Sequence, residues 1–163
     1  MVSGFHLDEF FLEGFDRFIT SQPFDTSYVE QNDLIPLSIN LLPFIKTILV
    51  KCGPNGILIV SREGSSNSTP DSSRYTWGKG GLTISIYPPA KVVGPEELVN
   101  VTGAGDSFVG VLAAGISQNP SILRDPQAAK RLVVTAQRAS IYSLGTARAV
   151  SSKISDLSLK MVD

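Results

Sequence analysis

The hydrophobic and polar positions in the middle of the chain predict three β-strands. Two apolar runs, Ile48 to Lys51 and Ile57 to Val60, are separated by the turn sequence Cys52-Gly53-Pro54-Asn55-Gly56. Such runs on either side of glycine and proline are typical of a hairpin or a tight strand pair. A third strand is predicted at Leu82 to Tyr87. It ends at the two prolines that follow, because proline cannot donate a hydrogen bond to a β-ladder.

Two later segments carry apolar residues at the three- and four-residue spacing of a helix. The first opens at Gly103 and ends at Asn119-Pro120, and the second runs from Gln127 to Leu144. Asp125-Pro126 supplies the second helix with a cap and a first-turn proline, and Gly145 supplies its stop. Strands and helices in this order predict an α/β fold in three layers. The apolar face of the first helix comprises Phe108, Val111, Leu112, Gly115 and Ile116.

The remaining stretches give weaker signals. Residues 63–81 are rich in serine, glycine and polar residues, which favours a flexible loop or an insert over a domain linker. Near the start, five aromatic residues could form one face of an amphipathic helix whose acidic polar face favours core packing over membrane contact. We therefore expect a single α/β domain over residues 1–163. The aromatic residues are Phe5, Phe10, Phe11, Phe15 and Phe18.

The most informative feature is the string from Val101 to Phe108, in which glycines and an acidic residue open the first predicted helix. Gly103 and Gly105 allow a sharp turn, and the first turn of a helix presents unpaired N–H groups at the positive end of the helix dipole. Asp106 lies within this ring of donors, which favours its charged form. Leu98 to Val101 favours a short strand before the turn. This order predicts an anion site beside a carboxylate that can act as a base.

Spacing excludes two better-known glycine motifs. Gly105 and Gly110 are separated as in a P-loop, but Val111 and Leu112 stand where Lys and Ser or Thr are required. The dinucleotide fingerprint fails because the residue three positions after Gly105 is Phe108 rather than glycine. A plain glycine-rich turn that opens a helix is the structural alternative to an anion site.

The string Asn100-Val101-Thr102-Gly103-Ala104-Gly105-Asp106-Ser107-Phe108 resembles the carboxy-terminal signature of the ribokinase-like (PfkB) sugar and nucleoside kinases. Further similarity lies in residues 41–45, 48–59 and 87–89. The chain is most similar to the pseudouridine kinase branch, which includes chains where the kinase follows a pseudouridine-phosphate glycosidase domain. The resemblance implies a three-layer Rossmann-like sheet with flanking helices, and an ATP-dependent phosphotransferase that acts on a hydroxyl of a sugar or nucleoside.

The resemblance also implies roles within the string. Asp106 matches the family's general base, which takes the proton of the substrate hydroxyl. Gly103, Ala104, Gly105 and Asp106 match the anion hole, whose N–H groups hold the charge that develops during transfer. Phosphoryl transfer depends mainly on positioning and on charge stabilisation, so a base and a ring of donors suit it. Mg²⁺ would accompany ATP.

Other candidate nucleotide contacts lie outside the anion hole. In the family a Gly-x-x-Gly turn runs along the ATP site, so Gly53 and Gly56 are candidates, although a turn that only joins two strands explains them equally well. Lys51 could reach a phosphate or could be an exposed lysine at a strand end. Thr102 and Gln137 complete the candidate cofactor contacts.

The second predicted helix and the loop after it border the adenine and a monovalent cation site (K⁺) in the family. Asn100 stands where the family usually has Asp, and Gln137 stands about where many members have Asn or His. Both departures put cation binding in question, although amide and carbonyl oxygens can ligate a hard cation. Asn100 is the candidate metal ligand.

The chain is short for a kinase of this family, which affects what activity we expect. Kinases of the family are about twice as long as these 163 residues, and the resemblance covers residues 38–152. We therefore expect that the amino-terminal half, which supplies the sugar-binding residues, is missing here. A missing kinase half or a glycosidase domain could lie upstream. The alternatives to a kinase are a catalytically incomplete remnant and a nucleotide-binding regulatory module, and the phosphate acceptor stays undetermined.

Composition narrows the possible partners. A net charge of −1 gives no basic excess for nucleic acid. No apolar run approaches the roughly 20 residues that span a bilayer, and the opening residues lack a signal-peptide pattern, so we expect no membrane contact and a cytoplasmic location. The single Cys52 excludes an internal disulfide or a zinc cluster, and the single His6 leaves no Ser-His pair near the glycine turn.

Overall fold

The computed structural model describes residues 25–62, 72–77 and 80–157. The chain divides into two compact units, Met1–Pro88 and Pro89–Asp163. The expectation of a single domain over residues 1–163 stays a prediction. The predicted opening helix with its five phenylalanines lies outside the described residues.

Each unit has its own secondary structure. The first unit contains helices α1 (Ser27–Gln31) and α2 (Leu34–Leu41) and strands β1 (Thr47–Lys51), β2 (Ile57–Ser61), β3 (Ser72–Trp77) and β4 (Gly80–Tyr87). The second unit contains helices α3 (Ala104–Gln118) and α4 (Pro126–Leu144). Short 3₁₀ helices cover Gly53–Asn55 in the first unit and Pro95–Glu97, Ile122–Arg124 and Ser152–Asp156 in the second.

The four strands form one antiparallel sheet in the order β1-β2-β4-β3. β1 and β2 pair from Thr47 opposite Ser61 to Lys51 opposite Ile57. β4 pairs with β2 on one side and with β3 on the other. The predicted hairpin and the predicted strand ending at Tyr87 are therefore confirmed.

The core of the first unit lies between the sheet and its two helices. Alternate residues of β4, Leu82, Ile84 and Ile86, are buried, as the two-residue period of a strand requires. They form one cluster with Leu58 and Val60 of β2 and with apolar residues from the helical segment. Burial of apolar surface stabilises such a cluster by about 25 cal/mol per Å². The members from the helical segment are Val29, Ile35, Ile39 and Leu42.

The turn between β1 and β2 is closed by hydrogen bonds and by a close backbone approach. The N–H of Cys52 donates to the carbonyl of Gly56 at 2.9 Å. Gly56 has φ +94°, and a Cβ there would lie 2.1 Å from the carbonyl oxygen of Tyr87 at the end of β4. Only glycine fits this position, because a side chain would overlap the neighbouring backbone.

Helices α3 and α4 of the second unit pack against each other. Phe108 and Val111 of α3 are buried. The Asp125 carboxylate caps α4, accepting from the N–H of Gln127 at 2.9 Å and of Ala128 at 3.2 Å. The predicted cap and the first-turn proline of α4 are confirmed. The buried face of α4 comprises Ala129, Leu132, Val133, Ala136 and Ala139.

The α/β composition expected from the sequence is confirmed. The sheet within the described residues is small and antiparallel, however, and those residues contain no parallel strands. The three-layer Rossmann-like arrangement therefore stays an expectation from the resemblance.

One local prediction is narrowed by the structure, and one is wrong. Within the range 63–81, predicted as a flexible loop or an insert, Ser72–Trp77 form β3 and pair with β4, so the range is not a loop throughout and the insert stays a prediction. The segment from Leu98 to Val101 is not a strand. Its N–H groups at Val99 and Asn100 instead donate to the single carbonyl of Leu144, at 2.9 and 3.1 Å. A strand needs a neighbouring strand to pair with, and the end of a helix supplies only a few carbonyls.

Candidate functional site

The glycine turn leads directly into α3. Gly103 is the N-cap of the helix with φ +77°, and the helix begins at Ala104. The Ser107 N–H donates to the Gly103 carbonyl at 2.8 Å, which is the first full turn of hydrogen bonding. The N–H groups of Gly105 and Asp106 precede that bond, and the described residues offer them no hydrogen-bond partner. Two open donors at the positive end of a 15-residue helix are the arrangement that the predicted anion site requires.

Asp106 lies in the first turn of α3 and is exposed. Its carboxylate makes no hydrogen bond or ion pair with the described residues, so both oxygens can accept a proton or a hydroxyl hydrogen bond. The predicted base and the predicted anion hole thus belong to one helical turn. A group bound by the open amides would lie beside a carboxylate, which is what a general base requires.

Gly103 is fixed by the loop that follows α4. A Cβ on Gly103 would lie 1.9 Å from the carbonyl oxygen of Ala149. The positive φ and the close approach are separate reasons for glycine, since either one alone disfavours a side chain. The turn therefore has the sharp bend that the sequence predicts, and its use as an anion site stays a prediction.

Asn100 and Thr102 stabilise the entry to the turn. The Asn100 Oδ1 accepts the Thr102 N–H at 2.9 Å, and the Asn100 Nδ2 donates to the Ala147 carbonyl at 3.4 Å. The Thr102 N–H, one of the predicted nucleotide contacts, is therefore engaged within the turn, while the residue itself is exposed. The contact of Thr102 with a nucleotide stays a prediction.

The remaining sequence candidates lie in different places. Gln137 is buried in α4, with 7% of its surface exposed. Lys51 ends β1 in the first unit and is exposed, and Gly53 opens the 3₁₀ turn after it, with open space where a Cβ would be. Gly56 packs against the end of β4, as described above. The structure thus brings Asn100 and Thr102 together with the Gly103 turn.

Among the described residues, Asp25, Cys52 and Glu97 have pKa values that differ from their ordinary ones. Burial raises the pKa of the Cys52 thiol, which is 3% exposed within the core of the first unit. A hydrogen bond from Lys91 and then one from the Gly94 N–H lower the pKa of Glu97. Glu97 is exposed and forms an ion pair with Lys91 just before the segment that enters the turn.

Comparison with known proteins gives one family and one curated relative. Residues 20–147 match the model of the pfkB family carbohydrate kinases. The chain belongs to this family. It is 32% identical over 117 residues to the pseudouridine-metabolizing bifunctional protein of Schizosaccharomyces pombe (strain 972 / ATCC 24843). The match covers 72% of this chain and 15% of that relative's length, so the chain spans a small part of the relative. No solved structure gives a significant match.

Membership of the pfkB family confirms the resemblance drawn from the Asn100 to Phe108 string. Within residues 25–62, 72–77 and 80–157, no cluster of three or more His, Cys, Asp or Glu residues could hold a metal ion. In the same ranges, no helix combines the length and apolar character that spanning a membrane requires.

Buried serines that the sequence analysis missed anchor the turn of this pfkB kinase domain to α4. Ser107 Oγ and Ser143 Oγ lie 2.7 Å apart, and both residues are buried. The Ser140 hydroxyl donates to the Ala104 carbonyl at 2.8 Å. These pairs are 36 residues apart in sequence, so no local spacing indicates them. A serine on an otherwise apolar helix face is the one signal that could have found them, because a buried hydroxyl requires a partner.

Proposed function

We propose that this pfkB family chain is part of an ATP-dependent phosphotransferase that acts on a hydroxyl of a sugar or nucleoside, in the manner of a pseudouridine kinase. The observation that carries the proposal is the start of α3, where the open N–H groups of Gly105 and Asp106 adjoin the exposed Asp106 carboxylate. The similarity to a pseudouridine-metabolizing protein supports the nucleoside acceptor.

In this proposal Asp106 holds the hydroxyl of the acceptor and takes its proton as the oxygen bonds to the terminal phosphorus of ATP. The bond from that phosphorus to ADP breaks in the same displacement, so the products are the phosphorylated acceptor, ADP and one proton. Gly103, Ala104 and Gly105 provide the turn whose amides hold the charge on the transferred group. One such donor typically lowers the barrier by about 3 kcal/mol.

The candidate nucleotide contacts of this proposal, each taken within its own unit, are Lys51, Gly53 and Gly56 in the first unit and Thr102 and Gln137 in the second. Mg²⁺ would arrive with ATP, since this ion is commonly bound by one or two carboxylates together with substrate phosphates. The cytoplasmic location and an upstream kinase half or glycosidase domain belong to the same proposal. The exposed side chains of Leu37 (56%) and Phe44 (85%) support a further protein surface beside the first unit.

The test measures ADP release with pseudouridine, ribose, adenosine and fructose phosphates, on this chain and on a chain extended upstream. We expect Asp106→Asn to lower kcat by roughly 100- to 10,000-fold, because the general base is lost, while ATP still binds. Asp33→Asn is the matched control, since Asp33 is exposed in the first unit and Asn tolerates its left-handed backbone.

Two results would contradict the proposed kinase function. The extended chain could release no ADP with any acceptor, or Asp106→Asn could retain full turnover. ATP binding that survives Asp106→Asn, with no acceptor-dependent ADP release in the wild type, would assign the chain to a nucleotide-binding remnant.

A further inference from the structure

The side chain of Asn100 bridges the glycine turn and the loop after α4. Its Oδ1 accepts the Thr102 N–H at 2.9 Å and its Nδ2 donates to the Ala147 carbonyl at 3.4 Å. The two partners fix which end of the carboxamide is oxygen, because an N–H group must face an acceptor and a carbonyl must face a donor. Both ends of the side chain are therefore used.

The same junction is held at two other points. The backbone N–H groups of Val99 and Asn100 donate to the Leu144 carbonyl, and Gly103 lies against the carbonyl of Ala149. The carbonyls of Leu144, Ala147 and Ala149 thus all face the segment from Val99 to Gly103. Carbonyl oxygens held against such a segment need donors or a cation to balance their partial charges.

The Nδ2 end of the Asn100 side chain does not fit the role of a cation ligand at this junction. The atom that faces the Ala147 carbonyl is Nδ2, which carries hydrogens and has no lone pair to give to a metal. We infer that the Asn100 carboxamide takes the place of a monovalent cation here, so that the contact between the glycine turn and the loop after α4 does not depend on K⁺.

A carboxylate at this position would have different requirements. In Asn100→Asp one oxygen would still accept the Thr102 N–H, but the other would face the Ala147 carbonyl, and two acceptors repel each other. A bound K⁺ would relieve that repulsion, since hard cations are held by carboxylate and carbonyl oxygens together. The substitution should therefore create a cation dependence that the wild-type chain lacks.

Thermal unfolding in KCl, NaCl and choline chloride at equal ionic strength tests the inference. We expect the wild-type Tm to be the same in KCl and in choline chloride. We expect Asn100→Asp to unfold about 2–4 °C lower than wild type in choline chloride and to recover most of the loss in KCl.

Asn119→Asp is the matched control. Asn119 uses only its Oδ1, which accepts from the N–H and the hydroxyl of Ser121 at 3.1 and 2.8 Å. An aspartate can make both of these bonds, so this variant should show no K⁺ response. Asn100→Leu, which removes both bonds and offers no oxygen, should lower the Tm in every salt.

Three results would overturn the inference. A wild-type Tm that rises specifically with K⁺ would show that a cation is needed despite the amide. An Asn100→Asp chain as stable as wild type in every salt, or one that K⁺ does not restore, would show that the carboxamide bridge is not what balances these oxygens. If Asn100→Asp does not fold, the inference is tested by the wild-type Tm alone: an equal Tm in KCl and choline chloride supports it, and a higher Tm in KCl overturns it.

Unfolding requires neither ATP nor an acceptor, so this test is independent of the proposed kinase activity. If the kinase is established, its kcat should likewise be unchanged by K⁺ in the wild type and should rise with K⁺ in Asn100→Asp. Failure of the kinase proposal would leave the Tm readout intact.

Discussion

Two glycines of α3 and its cap show how differently one residue type can be used. Gly103 adopts φ +77° and lies against the Ala149 carbonyl, whereas Gly110 lies in the helix interior with open space where a Cβ would be. The first glycine is required by the backbone conformation and by a neighbour. The second only adds conformational entropy to the unfolded chain.

Opposite effects on stability follow from this contrast. We expect Gly103→Ala to lower the free energy of unfolding by about 2–4 kcal/mol, because the new Cβ combines a strained backbone with a clash. Gly110→Ala should raise it by about 0.5–1 kcal/mol. Urea denaturation of the two variants measures both values. Equal effects would contradict the role of the Ala149 contact.

Some residues of the candidate site could be predicted from the sequence, and others could not. The order of Gly103, Gly105 and Asp106 alone indicates the turn, the open amides and the proposed base. Asn100 also bonds Ala147, 47 residues away, and Ser107 and Ser143 pair across 36 residues. Their roles could not be read from spacing because those partners come together only in the folded chain.

At the scale of elements, α4 is the helix whose start is most clearly indicated by its local sequence. Asp125 caps it by accepting two N–H groups, and Pro126 occupies its first turn, where no donor is needed. Its small residues allow α3 to approach, and Ser140 and Ser143 then connect it to the start of α3. The stability of α4 therefore contributes directly to the shape of the glycine turn at the start of α3.

Removing the cap tests this dependence. We expect Asp125→Ala to lower the free energy of unfolding by about 1 kcal/mol, because two N–H groups lose their acceptor, and Asp125→Asn to retain most of it. Circular dichroism during urea denaturation measures the change. A matched exposed change on the same helix, Arg138→Ala, should stay within about 0.5 kcal/mol, and a loss as large at Arg138 would argue against the cap.

Strands β1, β2 and β4 were predictable, and β3 was not. The three predicted strands have apolar residues suited to a half-buried surface, whereas the range 63–81 is dominated by serine and glycine. Ser72–Trp77 becomes a strand because β4 offers it an open edge of hydrogen-bonding groups. Tertiary pairing thus overrides a weak local preference.

At the scale of the whole molecule, the chain forms two compact units. The reactivity of the single cysteine, Cys52, can measure whether the first unit is open or closed. Cys52 is 3% exposed and belongs to the cluster formed by the sheet and its helices. Its Sγ lies 3.8 Å from the Val50 carbonyl, which it can approach as a weak donor. A reagent can reach this thiol only when the unit opens.

We expect iodoacetamide to alkylate Cys52 much more slowly in the folded chain than in urea, because the thiol is buried and its pKa is raised. The raised folded pKa also sets the pH dependence. The neutral thiol stabilises the fold at neutral pH, and this contribution is lost as the pH rises through the folded pKa. Mass spectrometry of the alkylated fraction against pH measures both effects. Equal rates with and without urea would contradict the burial.

The sequence by itself determined the local features of this pfkB kinase domain: the hairpin of β1 and β2, the limits of α3 and α4, the glycine turn and the position of Asp106. These depend on residues close together in the chain, where backbone freedom, capping and period are decided. The tertiary structure alone decided the pairing of β3, the buried serine contacts and the junction of the turn with the Leu144 to Ala149 loop. These depend on groups that become neighbours only when the chain loses conformational entropy in folding. A local sequence pattern therefore does not indicate them.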